Sequence, residues 1–233
     1  AYLVVNQVED AAQRNSWIKD VRIYKENAES PIRVLAGILG DMGLGAGRIA
    51  IEEDSLTWGY FEELRGYLPE ARFQDGSTLL ARAWAIKTEE EVKALEAGAV
   101  VLDEAYLEVL STVRPGDTER EVHSRIVEAC IRRGANWAHG ILNTSRNTVA
   151  YGGEGNMAFE AGDIIRNDYV SYVNGYPGHQ SRTVVVGQPT GEQQKTYEVT
   201  RDIYRATIDQ CRPGAKASDI YHYANNRFHE AGF

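Results

Sequence analysis

Two stretches of this chain follow the same pattern at a fixed spacing, and this internal repeat restricts the available folds more than any other feature. A helical pattern stops, a second helix follows, and a glycine ends it; the series recurs 98 residues later. The matched pairs are Tyr106 and Tyr204, Arg114-Pro115-Gly116 and Arg212-Pro213-Gly214, Glu121-Val122 and Asp219-Ile220, and Gly134 and Gly232. These matches, all in one register, indicate a duplicated unit. Because the chain stops one residue after Gly232, we expect a fragment without the second copy's sheet.

The first 84 residues alternate β-rich and helical segments, which predicts a separate α/β layer domain. The predicted strands are Tyr2–Val5, Val21–Tyr24, Arg48–Glu52 and Ala71–Gln74, and the predicted helices are Pro31–Met42 and Leu56–Tyr67. The glycine-rich stretch Gly43–Gly47 follows a helix and precedes a strand, the reverse of a nucleotide-binding fingerprint, so we interpret it as a loop. The pattern changes near residue 86, where a capping box at Thr88 predicts the start of a long helix.

Composition and charge limit the possible partners. The 233 residues are 43% hydrophobic and 25% charged, with a net charge of −9 and a pI near 5.1. An acidic chain without a run of lysines and arginines argues against nucleic acid or an anionic membrane as a partner. The apolar stretches are shorter than the ~18 residues of a membrane span, and both cysteines lie inside helical patterns. We therefore expect a cytoplasmic globular protein with reduced thiols.

A hairpin carries the residues with the clearest chemistry. Residues 164–170 lead to Asn174-Gly175, a strong signal for a two-residue turn, and residues 176–186 return. With that turn, Val173 faces Tyr176, Val170 faces His179, and Asp168 faces Ser181. Because side chains two residues apart share a face of the sheet, Asp168 and His179 should project together as diagonal neighbours, ~7–8 Å apart at the backbone.

A carboxylate and an imidazole on one face allow three interpretations. They suit a divalent metal ion of the zinc, manganese or iron kind. They equally suit a general acid–base pair. They also suit a plain salt bridge on the surface of the sheet, and the residues alone leave all three open.

The hairpin resembles the metal-binding hairpin of the pita-bread peptidases, the family of aminopeptidase P, Xaa-Pro dipeptidase and creatinase. The residues that carry the resemblance are Gly162-Asp163-Ile164-Ile165, Asp168, Gly175-Tyr176, Ser181-Arg182-Thr183 and Val186-Gly187, together with the junction Ala85-Ile86-Lys87-Thr88 and Glu91. The resemblance implies an α/β (α+β) protein with a partial creatinase-type N-terminal domain over residues 1–84. The first half of a pita-bread catalytic domain would then occupy residues 85–233. Two related halves build that fold, which accounts for the repeat, and a homodimer is also implied.

Carried over residue by residue, the resemblance makes Asp168 the first metal-ligand aspartate. The second ligand aspartate, which bridges two ions in the family, falls on His179. Imidazole can bind a metal, but it cannot bridge two ions as a carboxylate does. This departure implies one divalent ion (manganese, iron, cobalt or zinc) rather than two, or none. The family's remaining ligands, one histidine and two glutamates, fall beyond Phe233.

A second departure concerns the substrate-side histidine of the family, because its position holds Tyr151. An insertion in the preceding loop would make His139 the counterpart instead. The candidate catalytic residues are therefore His179, Tyr151 and His139. The candidate substrate-binding residues are Tyr151, Arg182 and Glu154, and the candidate metal ligands are Asp168 and His179.

Three functions compete on this basis. The first is a metal-dependent hydrolase of C–N bonds that resembles Xaa-Pro dipeptidase or aminopeptidase P and acts on a dipeptide or another small molecule. The second is a creatinase-like, metal-independent hydrolase or lyase of a small nitrogenous or zwitterionic metabolite, in which His179 moves a proton. The third is a binding module without catalysis. Metal content separates the first two, and any turnover excludes the third.

Overall fold

The computed structural model describes residues 1–147 and 152–233. They form two compact units, residues 1–87 and residues 88–233. Helices and strands occur in both units, so the α/β class expected from the sequence is confirmed. Within the described ranges, no helix combines the length and the apolar character that a membrane crossing needs.

The first unit combines small parallel sheets with helices. Strands β1 (Tyr2–Val5) and β2 (Val21–Tyr24) pair with each other, as do β3 (Arg48–Ile51) and β4 (Arg72–Asp75). The helices are α1 (Glu9–Asn15), α2 (Pro31–Asp41), α3 (Trp58–Tyr67) and α4 (Ser77–Ala85). Helix α2 begins where the Ser30 hydroxyl accepts a hydrogen bond from the Ile32 amide, next to Pro31; both features favour a helix start. Ile32, Ile49 and Leu64 lie in the buried core of this unit.

The predicted strands and helices of the first unit occur within two residues of their expected ends. Helices α1 and α4 were not predicted, and they are 7 and 9 residues long. Hydrophobic periodicity is read over a window of about 11–18 residues. Helices as short as these therefore escape a reading based on periodicity.

The second unit packs helices against one face of an antiparallel sheet. Its first helices are α5 (Glu89–Leu110), which begins at the capping box predicted at Thr88, and α6 (Glu119–Arg132), which begins at a capping box formed by Thr118 and Glu121. The strands are β5 (Trp137–Thr144), β6 (Ile164–Val173) and β7 (Tyr176–Val185), with β6 in the middle. Helices α7 (Gly191–Ile208) and α8 (Ala217–Glu230) follow. Leu102 of α5, Ile126 of α6 and Tyr169 of β6 are fully buried in one shared core.

The two copies of the repeat also have matching helices in the structure. Helices α6 and α8 each contain 14 residues and begin at equivalent positions, and α5 and α7 end at equivalent positions. The glycines that end the copies, Gly134 and Gly232, have φ angles of 97° and 88°. Glycine adopts this left-handed conformation without steric cost and commonly ends helices for that reason. The predicted duplication is therefore present in the helices as well as in the sequence.

The hairpin has the predicted register. Val173 pairs with Tyr176, Val170 with His179, and Asp168 with Ser181. Asn174 and Gly175 have φ angles of 51° and 82°, as a type I′ turn requires.

Strand β5 was not among the predicted strands, because Gly140 interrupts its pattern of side chains. A Cβ atom at Gly140 would lie 2.5 Å from the ring of Tyr169 on the neighbouring strand. The strand therefore needs a glycine where that ring packs against its backbone.

Candidate active site

The antiparallel sheet of the second unit has one covered face and one open face. Alternate residues of β6 point to opposite faces. Ile165, Tyr169 and Ser171 are fully buried on the side of α5 and α6, whereas Asp168 between them is partly exposed. On the other side, which we call the open face, the cross-strand rows are Ile141–Asp168–Ser181 and His139–Val170–His179. The open face thus carries the acidic and basic residues of the hairpin.

Asp168 and His179 meet on the open face. Nε2 of His179 lies 2.7 Å from Oδ1 of Asp168, and the Ser181 hydroxyl donates to the same oxygen at 2.8 Å. The side chain of His179 is 61% exposed and that of Asp168 is 28% exposed, so a ligand can reach both. The juxtaposition expected from the hairpin register is present.

The arrangement can bind a cation or move a proton. An exposed ion pair adds little to stability, and backbone pairing already holds β6 and β7 together over ten residues of each strand. The hairpin therefore does not depend on this pair for its structure. A carboxylate that orients an imidazole is also a common acid–base unit.

The donor set fits part of a divalent metal site. Carboxylate oxygen and imidazole nitrogen are ligands of zinc and of other first-row divalent ions. A catalytic zinc site uses about three protein ligands, and residues 1–147 and 152–233 contain no cluster of three His, Cys, Asp or Glu side chains suited to a metal. Asp168 and His179 would therefore supply at most two ligands of a complete site.

His139 lies on the open face but in an aromatic environment. Its ring stacks on that of Trp137 with a centroid distance of 4.2 Å, and the ring of Tyr172 lies 6.3 Å away. Because β6 separates β5 from β7, His139 and His179 are two strand spacings apart, ~10 Å at the backbone. The structure thus places His139 on the same face as the Asp168–His179 pair but not in contact with it.

Arg182 lies on the covered face. Its guanidinium donates to the carboxylate of Asp103 on α5 and lies 5.8 Å from the centroid of the Tyr106 ring. Arg182 follows Ser181 directly, so the two side chains point to opposite sides of β7. The structure therefore does not bring Arg182 together with Asp168 and His179.

Glu154 lies beside α6, away from the pair. Its Oε2 is 3.6 Å from Nδ1 of His123, and the same Nδ1 is 2.7 Å from the hydroxyl of the buried Tyr169. Burial lowers the pKa of His123; the Glu154 carboxylate opposes this shift, and Arg120 adds to it. Tyr151 falls outside the described residues, so its role stays a prediction.

Two polar residues of this region were not among the candidates. Ser181 could have been included, because the predicted register already places it opposite Asp168. Glu119 offered no signal, since acidic residues in the first turn of a helix are usually solvated and interact with its dipole. In the structure it is completely buried and accepts hydrogen bonds from Thr144, Asn147 and Gly155.

Comparisons with known proteins agree with this architecture. Residues 93–233 match metallopeptidase family M24, and residues 1–84 match the creatinase/prolidase N-terminal domain. The Xaa-Pro dipeptidase of Lactobacillus helveticus is 28% identical over 239 residues, which cover 96% of this chain and 62% of the relative. The creatinase of Bacillus sp. (strain B-0618) is 24% identical over 202 residues, which cover 83% of this chain and 49% of the relative. The chain thus spans about half to two thirds of the length of these relatives.

Solved structures show the same fold. The X-Pro aminopeptidase from Thermotoga maritima MSB8 has a TM-score of 0.85 at 19% identity, over 99% of this chain and 66% of the other. The prolidase from Pyrococcus horikoshii OT3 has a TM-score of 0.85 at 24% identity, over 99% of this chain and 64% of the other. The resemblance to the pita-bread peptidases and the predicted fold class are confirmed. The chain belongs to metallopeptidase family M24.

Proposed function

We propose that the whole protein hydrolyses C–N bonds in the manner of Xaa-Pro dipeptidase or aminopeptidase P, with a divalent metal ion held in part by Asp168 and His179. The observation that supports this proposal is the 2.7 Å contact between His179 Nε2 and Asp168 Oδ1 on the open face. Membership of family M24 and the likeness to the Xaa-Pro dipeptidase of Lactobacillus helveticus favour the same class of reaction.

Each residue of this group has a defined task in the proposal. Asp168 supplies an anionic ligand, and the Ser181 hydroxyl, which donates to Oδ1, fixes the orientation of that carboxylate. His179 supplies an imidazole nitrogen where the family has an aspartate. To bind a metal, Nε2 of His179 must lose any proton that it donates to Asp168, so protons and metal compete for this atom. A bound ion supplies an activated water and polarises the carbonyl of the substrate.

The histidine also limits the number of ions. A carboxylate can bridge two ions through its two oxygens, whereas each imidazole nitrogen binds one. We therefore expect one ion at the Asp168–His179 pair. Manganese, iron, cobalt and zinc all accept such ligands.

The substrate and the assembly are part of the same proposal. His139 shares the open face with the pair, which supports a position near the substrate. Arg182 and Glu154 contact α5 and α6, which supports a role in holding the sheet against these helices. A direct contact of Arg182, Glu154 or Tyr151 with the substrate stays a prediction, as do the dipeptide substrate, the homodimer and the cytoplasmic location.

A second candidate function is a creatinase-like reaction without metal, and the same contact favours it. With Nε2–H donated to the Asp168 carboxylate, His179 is oriented as the imidazole of an acid–base pair would be. In that case His179 would transfer a proton to or from a small nitrogenous substrate. The likeness to the creatinase of Bacillus sp. (strain B-0618) is compatible with this alternative.

Elemental analysis of the full-length protein, purified without chelators, tests the proposal. The variants are Asp168→Ala and His179→Ala, and the control is His229→Ala, which removes an exposed histidine of α8. The proposal expects about one equivalent of metal in the wild type and the control, loss of that metal in both site variants, and hydrolysis of an Xaa-Pro dipeptide. Turnover of a small nitrogenous substrate without metal would favour the creatinase-like reaction. A folded protein with neither metal nor turnover would indicate a binding module.

A further inference from the structure

Glu119 is a buried carboxylate at the start of α6. Its side chain has no solvent exposure, and burying a charge is costly unless hydrogen bonds compensate it. Among the residues that the structure describes, three N–H groups do so. The Thr144 amide donates to Oε1 at 2.8 Å, the Asn147 side chain donates to Oε1 at 3.4 Å, and the Gly155 amide donates to Oε2 at 2.9 Å. An acidic residue that served only the helix dipole would not need to be buried.

The three donors come from two arms of one loop. Residues 144–147 form the outgoing arm and residues 152–157 form the returning arm. Oε1 of Glu119 holds the outgoing arm and Oε2 holds the returning arm. Backbone hydrogen bonds attach the returning arm to the same helix start, from the Glu119 amide to Met157 O at 3.1 Å and from the Arg120 amide to Gly155 O at 3.0 Å. The carboxylate is therefore a direct link between the two arms.

These arms lie at one end of the open face. The Asn143 side chain donates to Gly153 O of the returning arm at 3.2 Å, and the Arg166 guanidinium donates to Asn147 O of the outgoing arm at 3.3 Å. Asn143 and Arg166 pair with each other, and Arg166 lies two residues before Asp168 on the same side of β6, ~7 Å along the strand. Asn143 is only 2% exposed although its row belongs to the open face. The arms thus border the site next to Asp168.

We propose that Glu119 is a positioning residue that holds both loop arms beside Asp168 and so shapes one wall of the substrate site. This inference rests on the function proposed above, because it concerns the same open face. Glu119 touches neither Asp168 nor His179 and takes no part in proton transfer. Its effect is on where the arms lie relative to a bound substrate.

Glu119→Gln in the full-length protein tests the proposal, because glutamine keeps one acceptor oxygen and replaces the other by an NH₂ donor. This variant can accept a hydrogen bond from only one arm. The matched control is Glu121→Gln, which makes the same change in the same helical turn at an exposed residue that bonds Thr118 and not the arms. In E119Q, we expect KM for the hydrolysed dipeptide to rise about tenfold, with kcat changed less than about threefold. In E121Q both constants should stay within about twofold of the wild type.

Hydrogen–deuterium exchange provides a second readout that needs no turnover. At least one of the Thr144 and Gly155 amides, the one that faces the new NH₂ group, should exchange at least about tenfold faster in E119Q than in the wild type or E121Q, while those of β6 stay unchanged. Unchanged exchange would overturn the proposal, and so would faster exchange with an unchanged KM. If the wild type hydrolyses no dipeptide, the proposed function fails, and the exchange comparison still decides whether Glu119 holds the arms.

Gly155→Ala replaces E119Q if that variant does not fold. The added Cβ would lie 2.9 Å from Oε2 of Glu119, closer than real Cβ contacts, so the carboxylate and the returning arm must move apart. This change removes no charge, and Oε1 of Glu119 keeps its donors on the outgoing arm. Faster exchange in residues 152–157, together with a higher KM, is expected; wild-type values of both would contradict the proposal.

Discussion

Asn167 places an amide on the covered face of the sheet, and neither polar atom of its side chain has a hydrogen-bond partner among the described residues. A buried polar group without a partner costs about 1–3 kcal/mol. Replacement by leucine, which has a similar shape, should remove this cost. We therefore expect Asn167→Leu to raise the free energy of unfolding by about 1–2 kcal/mol in urea denaturation.

Asn143→Leu is the control for that experiment. Asn143 is equally buried, but its side chain donates to Gly153 O. The same substitution there removes this hydrogen bond and should lower the free energy of unfolding by about 1–2 kcal/mol. If both substitutions change the free energy of unfolding equally, the lack of hydrogen-bond partners at Asn167 does not decide the effect of replacing it.

His123 should make the stability of the second unit depend on pH. Burial lowers its pKa below the usual 6.5, so the unfolded chain binds a proton more readily than the folded one. The contribution of neutral His123 to the free energy of unfolding is therefore complete at neutral pH and is lost as the pH falls below about 6.5. In His123→Gln, the free energy of unfolding should fall less steeply between about pH 7 and pH 5, as urea titrations at several pH values can measure.

The exposed His222 of α8 provides the comparison for this pH dependence. In His222→Gln, the free energy of unfolding should change with pH as steeply as in the wild type. A wild-type slope in His123→Gln would mean that other groups produce the pH dependence. The lost hydrogen bond to the Tyr169 hydroxyl changes the level of stability in this variant rather than its slope.

At the scale of secondary-structure elements, helix α5 crosses strand β7 where two glycines meet. A Cβ atom at Gly98 would lie 2.7 Å from the backbone nitrogen of Gly178. Backbone atoms cannot rotate away as a flexible side chain can, so helix and strand would have to separate. We expect Gly98→Ala to destabilise the second unit by about 3 kcal/mol or to prevent its folding, measured by thermal or urea unfolding.

Gly191→Ala is the control for the crossing of α5 and β7. Gly191 is the first residue of α7, and a Cβ there would meet nothing within 4 Å. Alanine at this position should leave stability unchanged or raise it by up to about 1 kcal/mol. Similar losses in both variants would assign the effect to glycine replacement in general rather than to the close approach. Because His179 follows Gly178 directly, the crossing also helps to place the candidate site.

At the scale of the whole molecule, each unit has its own buried core. The core of residues 1–87 contains Leu64, and the core of residues 88–233 contains Leu102. Loss of a buried leucine side chain costs about 2–5 kcal/mol. Leu64→Ala should therefore raise amide exchange only in residues 1–87, and Leu102→Ala only in residues 88–233, as measured peptide by peptide. Equal effects of both variants on both ranges would mean that the two units unfold as one.

Features encoded within a few neighbouring residues could be predicted well. Asn174-Gly175 sets the turn and, through it, the register that joins Asp168 to His179. The capping boxes at Thr88 and Thr118 mark helix starts locally as well, because their hydrogen bonds span only three residues. The register therefore also predicted that Asp168 and His179 share a face of the sheet.

The sequence by itself determined the repeat, the boundaries of the elements that it predicted and the pair of candidate ligands, since each depends on local backbone geometry or on spacing along the chain. Only the tertiary structure decided that Arg182 lies against α5 and Glu154 against α6. The same is true of the close packing of the Tyr169 ring on Gly140 of β5, which requires a glycine there. It is also true of the burial of Glu119 between two loop arms. These features depend on which surfaces meet when helices cover one face of a sheet. The partner of each such side chain lies 25 to 79 residues away along the chain, and no local pattern specifies a contact over that distance.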